Sequence, residues 1–587
     1  MAQSFKTVLI EESAIADLTS EETFGVYSGA AEKTLQKFLS TSASNSSLIW
    51  NIQVPSENIC VSRHVLMQSD INFTITIGNP VPNGQLAFDL GSTDSLQAFP
   101  LQALFTNYSV MVNNTSITTN LQDILPQVMQ MYDKRQLTRY NSTTASLPDN
   151  SLGLYSAMVG TNNNVMGSVF DMSYDSDFSP RGGFALRQCI GARYVGGVYQ
   201  DTSLISTGVA NETWKVYVFA TVTEPFLALS PFVDLNADNS SGLIGVNTIT
   251  LTANIDATCK RLWSTANYNL VGTALVPYIT QIQLGTSGAV VPGILSTSPN
   301  GFENTYLLLE FLSIQPSQAS RLSSKCVVPY MDYPRYITPS SNLATILTGA
   351  STSLTSQNIQ LNSVPDLFII CVRQQMSTQS WQNTSGFLTI DQISINFNNK
   401  SGVLASANQQ QLFNLSAKNG SCQTWQEFSG FYYGNSVLGA GVELASIGSL
   451  LVLNPSLDFG LDDFLSASSL GQFNFMLTVS VTNQYTYSVQ PEIVVICANS
   501  GLFITEAGVS QTYQGILSKQ AVLDAKSGRP AVDTKAYERL VGGRQSSRGV
   551  GRILKQFHGM AKGAQPLALT GGSVIGGARK GKLGKHL

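Results

Sequence analysis

Histidine is nearly missing from this chain. Three occur in 587 residues, and only His64 precedes residue 518. Many hydrolases use histidine as the general base, so His-dependent catalysis is not expected of the body of the protein. His64 follows Arg63 at the start of a strand-like run and reads as structural. Charge is scarce as well. Asp, Glu, Lys and Arg make up 12% of the chain, about half of the ~25% usual for soluble domains. Ser, Thr, Asn, Gln and Gly fill the gap. Such a surface suits either an extracellular β-rich binding protein or a subunit covered by its neighbours in an assembly. No run of 18 apolar residues exists, so no membrane-spanning helix is expected. The start, MAQSFKTVLIEESAIADL, lacks a basic segment followed by an apolar one, so no secretory signal is expected. Without one, sequons such as Asn72-Phe-Thr and Asn211-Glu-Thr are discounted.

The seven cysteines (Cys60, Cys189, Cys259, Cys326, Cys371, Cys422 and Cys497) are odd in number, scattered singly and without a C-x-x-C pair. They read as small buried hydrophobes in a reducing compartment, not as a disulfide framework or zinc site. G-x-S-x-G, Walker A and H-E-x-x-H motifs are absent. Asp234-x-Asn236-x-Asp238 resembles the start of a calcium loop, but Asn239 stands where Gly is needed and Gly245 where Glu is needed. Asp462-Asp463 are adjacent and would point to opposite faces of a strand, so they read as a surface turn. Carboxylate-only glycoside hydrolysis stays open at this stage. No catalytic residue, metal ligand or cofactor is assigned.

What is present is β structure. A single core rarely exceeds ~250–300 residues, so a chain of this length implies at least two domains. Apolar residues make up 43%, enough for large cores. Asp70–Ile77, Trp214–Val222 and Asn247–Ile255 alternate apolar and polar residues, as half-buried strands do. Further runs follow at Tyr278–Leu284, Tyr306–Leu312, Leu367–Arg373, Phe387–Phe397, Phe473–Val481 and Glu492–Ile496. Clusters of Gly, Pro, Asn and Ser separate them. Helices are few. The spacing of Leu121, Ile124, Leu125, Val128 and Met131 predicts one, with Pro126 tolerable near its start. Ala407–Ser416 predicts a second, and Ala30–Leu39 a short one in an N-terminal arm. Many short strands with rare helices indicate sandwiches or jelly rolls. The expected division is an arm over 1–46, a first barrel over 47–265, a second over 266–515, and a basic Gly-rich tail over 516–587.

The net charge of −4 hides a division. Residues 1–518 carry 19 basic and 34 acidic groups, whereas residues 519–587 carry 14 and 3. From Leu540 onward there are nine Lys or Arg (Arg544, Arg548, Arg552, Lys555, Lys562, Arg579, Lys580, Lys582 and Lys585) and no acid. A basic tail on an acidic body implies a polyanion partner or a solvated, disordered extension. Residues 519–540 could begin it with a helix broken at Gly528–Pro530. Within the tail, Ile553, Leu554, Phe557 and Met560 share one helical face with the basic residues off it. A short amphipathic helix there could dock under a subunit or perturb a membrane. Gly559 weakens it by ~1 kcal/mol.

Several stretches resemble the double jelly-roll major capsid proteins of the Polinton, adintovirus and adomavirus type. They are VPSENICVSRHVLMQSDINFTIT at 54–76, FPLQALFTNYSVMVNNTSITTNLQDILPQVMQM at 99–131, GLIGVNTITLTANI closing at 255, Pro365–Arg373, Ile393–Gly402 and Leu412–Ser416. The likeness runs in patches over roughly 48–515, and order and spacing carry it. It implies an all-β fold of two tandem eight-stranded jelly rolls with short insertion helices and a basic, mostly irregular C-terminal tail. It also implies a hexon-like subunit that forms homotrimeric, pseudo-hexameric capsomers of an icosahedral double-stranded DNA virus. Implied partners are further copies of itself, penton and minor capsid proteins, and viral DNA or a core protein at the tail. The implied location is the virion, after assembly in the host nucleus. Leu540-Val-Gly-Gly543 before Arg544 and Leu569-Thr-Gly-Gly572 before Ser573 resemble sites cut by adenovirus-type maturation proteases, although a flexible Gly-rich tail would contain similar sequence. The rival readings are a single jelly-roll capsid protein of a small RNA virus and a secreted β-sandwich lectin or glycosidase.

Overall fold

A computed structural model describes residues 32–514. Its longest internal omission is 138–184, with shorter ones that include 233–241, 287–292, 314–324, 435–441 and 462–464. Among the described residues, two pairs of antiparallel sheets form a tandem of jelly rolls, with three two-stranded sheets beside them. In the first, one sheet runs Glu32–Leu39, Phe302–Ser313, Leu66–Ile77, Glu212–Pro225, Ala185–Val195, Val198–Asp201. Ile279–Leu284 also pairs with Leu66–Ile77, and Ile59–Val61 with Phe302–Ser313. The opposing sheet runs Ser42–Ala43, Ser47–Gln53, Thr248–Ile255, Phe105–Val112, Thr115–Thr119. The second barrel faces Lys325–Asp332, Pro491–Glu506, Leu367–Gln374, Leu451–Leu453 against Ser351–Thr355, Leu470–Thr482, Thr389–Phe397, Lys400–Val403.

Period-2 patterning is obeyed along the long strands. In Thr248–Ile255, Ile249, Leu251 and Ala253 are fully buried while Thr248 and Asn254 are exposed. Trp50, Trp214 and Trp263 anchor the first interior. Trp263 lies 5.7 Å from Phe73 and 5.8 Å from Phe88, ring centre to ring centre. The second interior is phenylalanine-rich: Phe368 stacks on Phe475 at 4.4 Å and on Phe459 at 5.7 Å.

The helix over Leu121–Met129 forms as expected. So does that over Gln409–Lys418, started by Asn408, whose side chain accepts from the Gln411 N–H while Gln411 reaches back to the Asn408 N–H. The short Pro100–Ala103 helix has its first N–H groups held by Glu224, which accepts from Leu101 at 2.9 Å and Gln102 at 3.1 Å. Burial pushes the Glu224 carboxyl up to about 7 against the pull of those bonds.

Two expectations fail. Ala30–Leu39 is not a helix where described: Glu32–Leu39 is an edge strand, paired residue for residue from Glu32–Ser313 to Leu39–Tyr306. Phe38 packs 5.7 Å from Phe311 while Leu35 and Leu39 stay exposed. Pairing with a distant strand overrides the local helical spacing. The barrel division expected at 265/266 also shifts. Ile279–Leu284 and Phe302–Ser313, assigned to the second barrel, both pair with Leu66–Ile77 of the first. Alternation marks a strand but not its partner, so the late-returning strands of the first barrel were indistinguishable from a new domain.

Truncating Phe368 to Ala removes a ring that three elements share. We expect Phe368→Ala to cost about 3–5 kcal/mol, read as a lowered denaturant midpoint with an unchanged slope.

Candidate functional site: the seam between the barrels

The inner sheet of the second barrel is buried on both faces. Along Leu367–Gln374, Phe368, Ile370 and Val372 enter the second interior, while Leu367, Ile369 and Cys371 join the core continuous with the first barrel. Along Pro491–Glu506, Ile493, Val495 and Cys497 face inward, and Val494, Ile496 and Ala498 face the first barrel. Leu451 and Leu453 flank Val452 in the same way. Strands covered on both sides lose alternation and become continuous apolar runs, which is what Leu367–Val372 and Ile493–Ala498 are. The Leu121–Met129 helix reaches this sheet through Gln127 and Asp123, and its Leu121, Ile124, Leu125 and Val128 belong to the shared core.

Into this apolar seam the chain places a charged cluster. Asp123, on the first-barrel helix, accepts from Arg373 at 2.7 Å and from Arg335, both on second-barrel strands. Arg373 also donates to Glu492 at 2.6 Å, its cross-strand partner in register. Arg373 is 1% exposed and Asp123 6%, so each charge depends on the others. Burial works to raise the Asp123 carboxyl, but Arg373 and Arg335 outweigh it and hold it below its usual range. Burial and the repulsion of Arg373 push the neighbouring Arg261 down to about 10, still charged at neutral pH. Pro126 explains its position. Proline has no N–H for the carbonyl four residues earlier, and the Arg261 guanidinium donates to that carbonyl, Gln122 O, instead.

Other bonds extend the seam. Arg63, fully buried, donates to Ser230 O at 2.7 Å in the first barrel and to Pro329 O at 3.3 Å in the second. Gln127 donates to Cys371 Sγ at 3.3 Å, and the Trp381 indole to Cys259 O at 3.2 Å. The Thr505 hydroxyl donates to Ile244 O at 2.6 Å, and the Ser510 N–H to Asn114 Oδ1 at 2.7 Å.

The charged cluster of Asp123, Arg261, Arg335, Arg373 and Glu492 is not singled out by the sequence reading. A signal existed: in a chain so poor in charge, Arg373 closes one continuous apolar run and Glu492 opens another. His64 is half-buried, with its backbone N–H on the Ser62 hydroxyl at 3.2 Å. Asp234, Asn236, Asp238, Asp462 and Asp463 lie outside the described residues, as do Gly543, Arg544, Gly572, Ser573, the amphipathic set Ile553, Leu554, Phe557 and Met560, and the basic series from Arg548 to Lys585. Among the described residues, no three His, Cys, Asp or Glu side chains are gathered as a metal site. The cysteines depart from the expected pattern. Cys259, Cys371 and Cys497 are buried, but Cys60, Cys189 and Cys326 are partly exposed and Cys422 is exposed.

Removing one member of the cluster strands its partners. Asp123→Ala is expected to cost about 3–5 kcal/mol. Because the folded carboxyl titrates below the unfolded one, its contribution is present above the ordinary aspartate value and drains away as pH falls through the folded value. Chemical denaturation across pH 2–7 should therefore show an acid-side loss in the wild type that is smaller in the variant.

Comparison with known proteins places this architecture. The family described as the Sputnik virophage major capsid protein first domain matches residues 3–311, and that described as the major capsid protein V20 C-terminal domain matches 333–501. A putative capsid protein V20 of Sputnik virophage is 24% identical over 552 residues, covering 91% of this chain and 84% of the relative. The 3.5 Å cryo-EM structure of Sputnik virophage superposes with a TM-score of 0.67 at 22% identity, covering 89% of this chain and 96% of the other. The crystal structure of the mavirus major capsid protein gives 0.60 at 15%, covering 89% and 98%. A double jelly roll whose first half and more is matched by the one family and whose second barrel is matched by the other belongs to the virophage major capsid protein family and is a structural component of the virion capsid.

Proposed function

We propose that three copies of this chain close into a ring presenting six barrels, a pseudo-hexameric capsomer that tiles an icosahedral shell around double-stranded DNA. The observation that carries this reading is the seam. Two jelly rolls locked by a shared apolar core and a buried charge cluster form one lateral unit with two similar lobes. Three such units supply sixfold pseudo-symmetry from threefold closure. The low charge of the chain supports it too, since lateral faces that lose water on assembly avoid stranding unpaired ions. Its work on this reading is structural and not catalytic. Its division is a first barrel ending near Ser313 and a second spanning Lys325–Gln514. Penton and minor capsid proteins complete the shell at sites that three-chain rings do not fill, and assembly takes place in the nucleus.

The tail reading follows from charge. Residues 541–587 face the interior, where Arg544, Arg548, Arg552, Lys555, Lys562, Arg579, Lys580, Lys582 and Lys585 meet DNA or a core protein. The Ile553, Leu554, Phe557 and Met560 face docks under the capsomer. A viral maturation protease cuts after Gly543 or Gly572.

Two measurements test these proposals. Negative-stain images of the expressed protein should show threefold particles with six lobes; monodisperse single subunits at high concentration would refute the ring. Intact-mass analysis of the purified particle should show a chain ending at Gly543 or Gly572, and a terminus at Leu587 rules out cleavage.

A further inference from the structure

Two of the partly exposed cysteines, one from each barrel, flank the same glycine at the seam. Cys60 sits on the Ile59–Val61 strand of the first barrel and Cys326 on the Lys325–Asp332 strand of the second. Both touch Gly242. A Cβ built there would lie 2.3 Å from Cys60 Sγ, and Cys326 Sγ is 3.6 Å from Gly242 O. A side chain at 242 would displace the Cys60 sulfur, so glycine is what allows the close approach. The segment is held from both sides. Val61 and Leu243 exchange N–H···O bonds of 2.8 Å, and Thr505, which is opposite Cys326 in the sheet register, donates to Ile244 O at 2.6 Å. Burial raises the Cys60 thiol to about 12, and Cys326 adds to that rise. Burial raises Cys326 too, while hydrogen bonds with the Ile244 backbone and the Thr505 hydroxyl, and then the Arg63 guanidinium, pull it back.

We propose that Cys60 and Cys326 form a redox-responsive disulfide that braces the two barrels once the particle leaves the reducing interior of the cell. A virion component moves from a compartment that keeps thiols reduced to a medium that does not. The exchange needs a small disulfide. The Cys326 thiolate attacks one sulfur of glutathione disulfide and expels one glutathione thiolate. The Cys60 thiolate then attacks the Cys326 sulfur of the mixed disulfide and expels the second. Two protein sulfurs are oxidised, two glutathione sulfurs are reduced, and the two thiol protons pass to the released thiolates. Because burial lowers the thiolate fraction, the step is slow and belongs to particle ageing, not folding. The link would join residues far apart in sequence, where a cross-link restricts the unfolded chain most.

The test uses full-length protein incubated at pH 8 with glutathione disulfide, then digested without reductant. Mass spectrometry should find a peptide joining Cys60 to Cys326, absent from Cys60→Ser and from Cys326→Ser. The oxidised wild type should melt several degrees above its reduced form, and neither variant should show the shift. Alkylation of both thiols by iodoacetamide in the native protein without any linked peptide overturns the proposal, as does inertness of both thiols or pairing of Cys60 with another cysteine. A linked peptide with no thermal shift overturns the bracing role.

Discussion

The structure depends on one sheet with two dry faces. The strands Leu367–Gln374 and Pro491–Glu506 give alternate side chains to the second interior and to the first barrel. Neither barrel can shift against the other without exposing Leu367, Ile369, Val494 and Ile496, each of which is worth about 1.5–3 kcal/mol buried. Apolar packing alone is indifferent to small slides, because one branched aliphatic side chain resembles the next. The buried charges are not indifferent. Arg373 must meet both Asp123 and Glu492, and a slide of one residue would leave a desolvated ion alone. Taking such charges out of water costs several kcal/mol each before their mutual attraction is counted. Their contribution is therefore to register more than to net stability.

Much of the fold was legible in the sequence and much of the seam was not, and the difference is physical. Half-buried strands announce themselves by alternation, as at Asp70–Ile77, and the Leu121–Met129 helix by its spacing of apolar residues. Strand partners are set by contacts between distant residues, so Glu32–Leu39 was misread and the first barrel was closed too early. The seam residues left a fainter trace. Apolar runs without alternation at Leu367–Val372 and Ile493–Ala498 mark strands covered on both sides, and opposite charges at their ends mark the pair that crosses between them. Arg261 could not have been found this way, because its partner is a backbone carbonyl made available by Pro126. A buried arginine that replaces a missing N–H has no pattern in the sequence except the proline itself.

Two buried carboxyls give the fold opposite responses to acid. Glu224 titrates at about 7 in the folded protein, well above an unfolded glutamate. As pH falls through 7 towards the unfolded value the folded state takes up a proton that the unfolded state does not, and folding is favoured. Asp123 acts the other way and lower down, losing its contribution only as the folded carboxyl protonates. At these two sites mild acid is tolerated and strong acid is not. That order suits a particle whose seam is ionic and whose barrel interior holds a carboxyl without a charged hydrogen-bond partner.

Fusing two barrels in one chain also changes the thermodynamics of the proposed ring. Six separate barrels would lose five sets of translational and rotational freedom on closing, whereas three fused pairs lose two. Each loss costs an estimated 4–15 kcal/mol at the 1 M standard state. Folding settles the other three encounters in advance, provided the seam is rigid enough that lobe orientation is not lost again at assembly. A seam held by apolar packing alone would leave small slides to be frozen out at each closure. The Asp123–Arg373–Glu492 cluster, which joins a first-barrel helix to second-barrel strands, removes that freedom during folding.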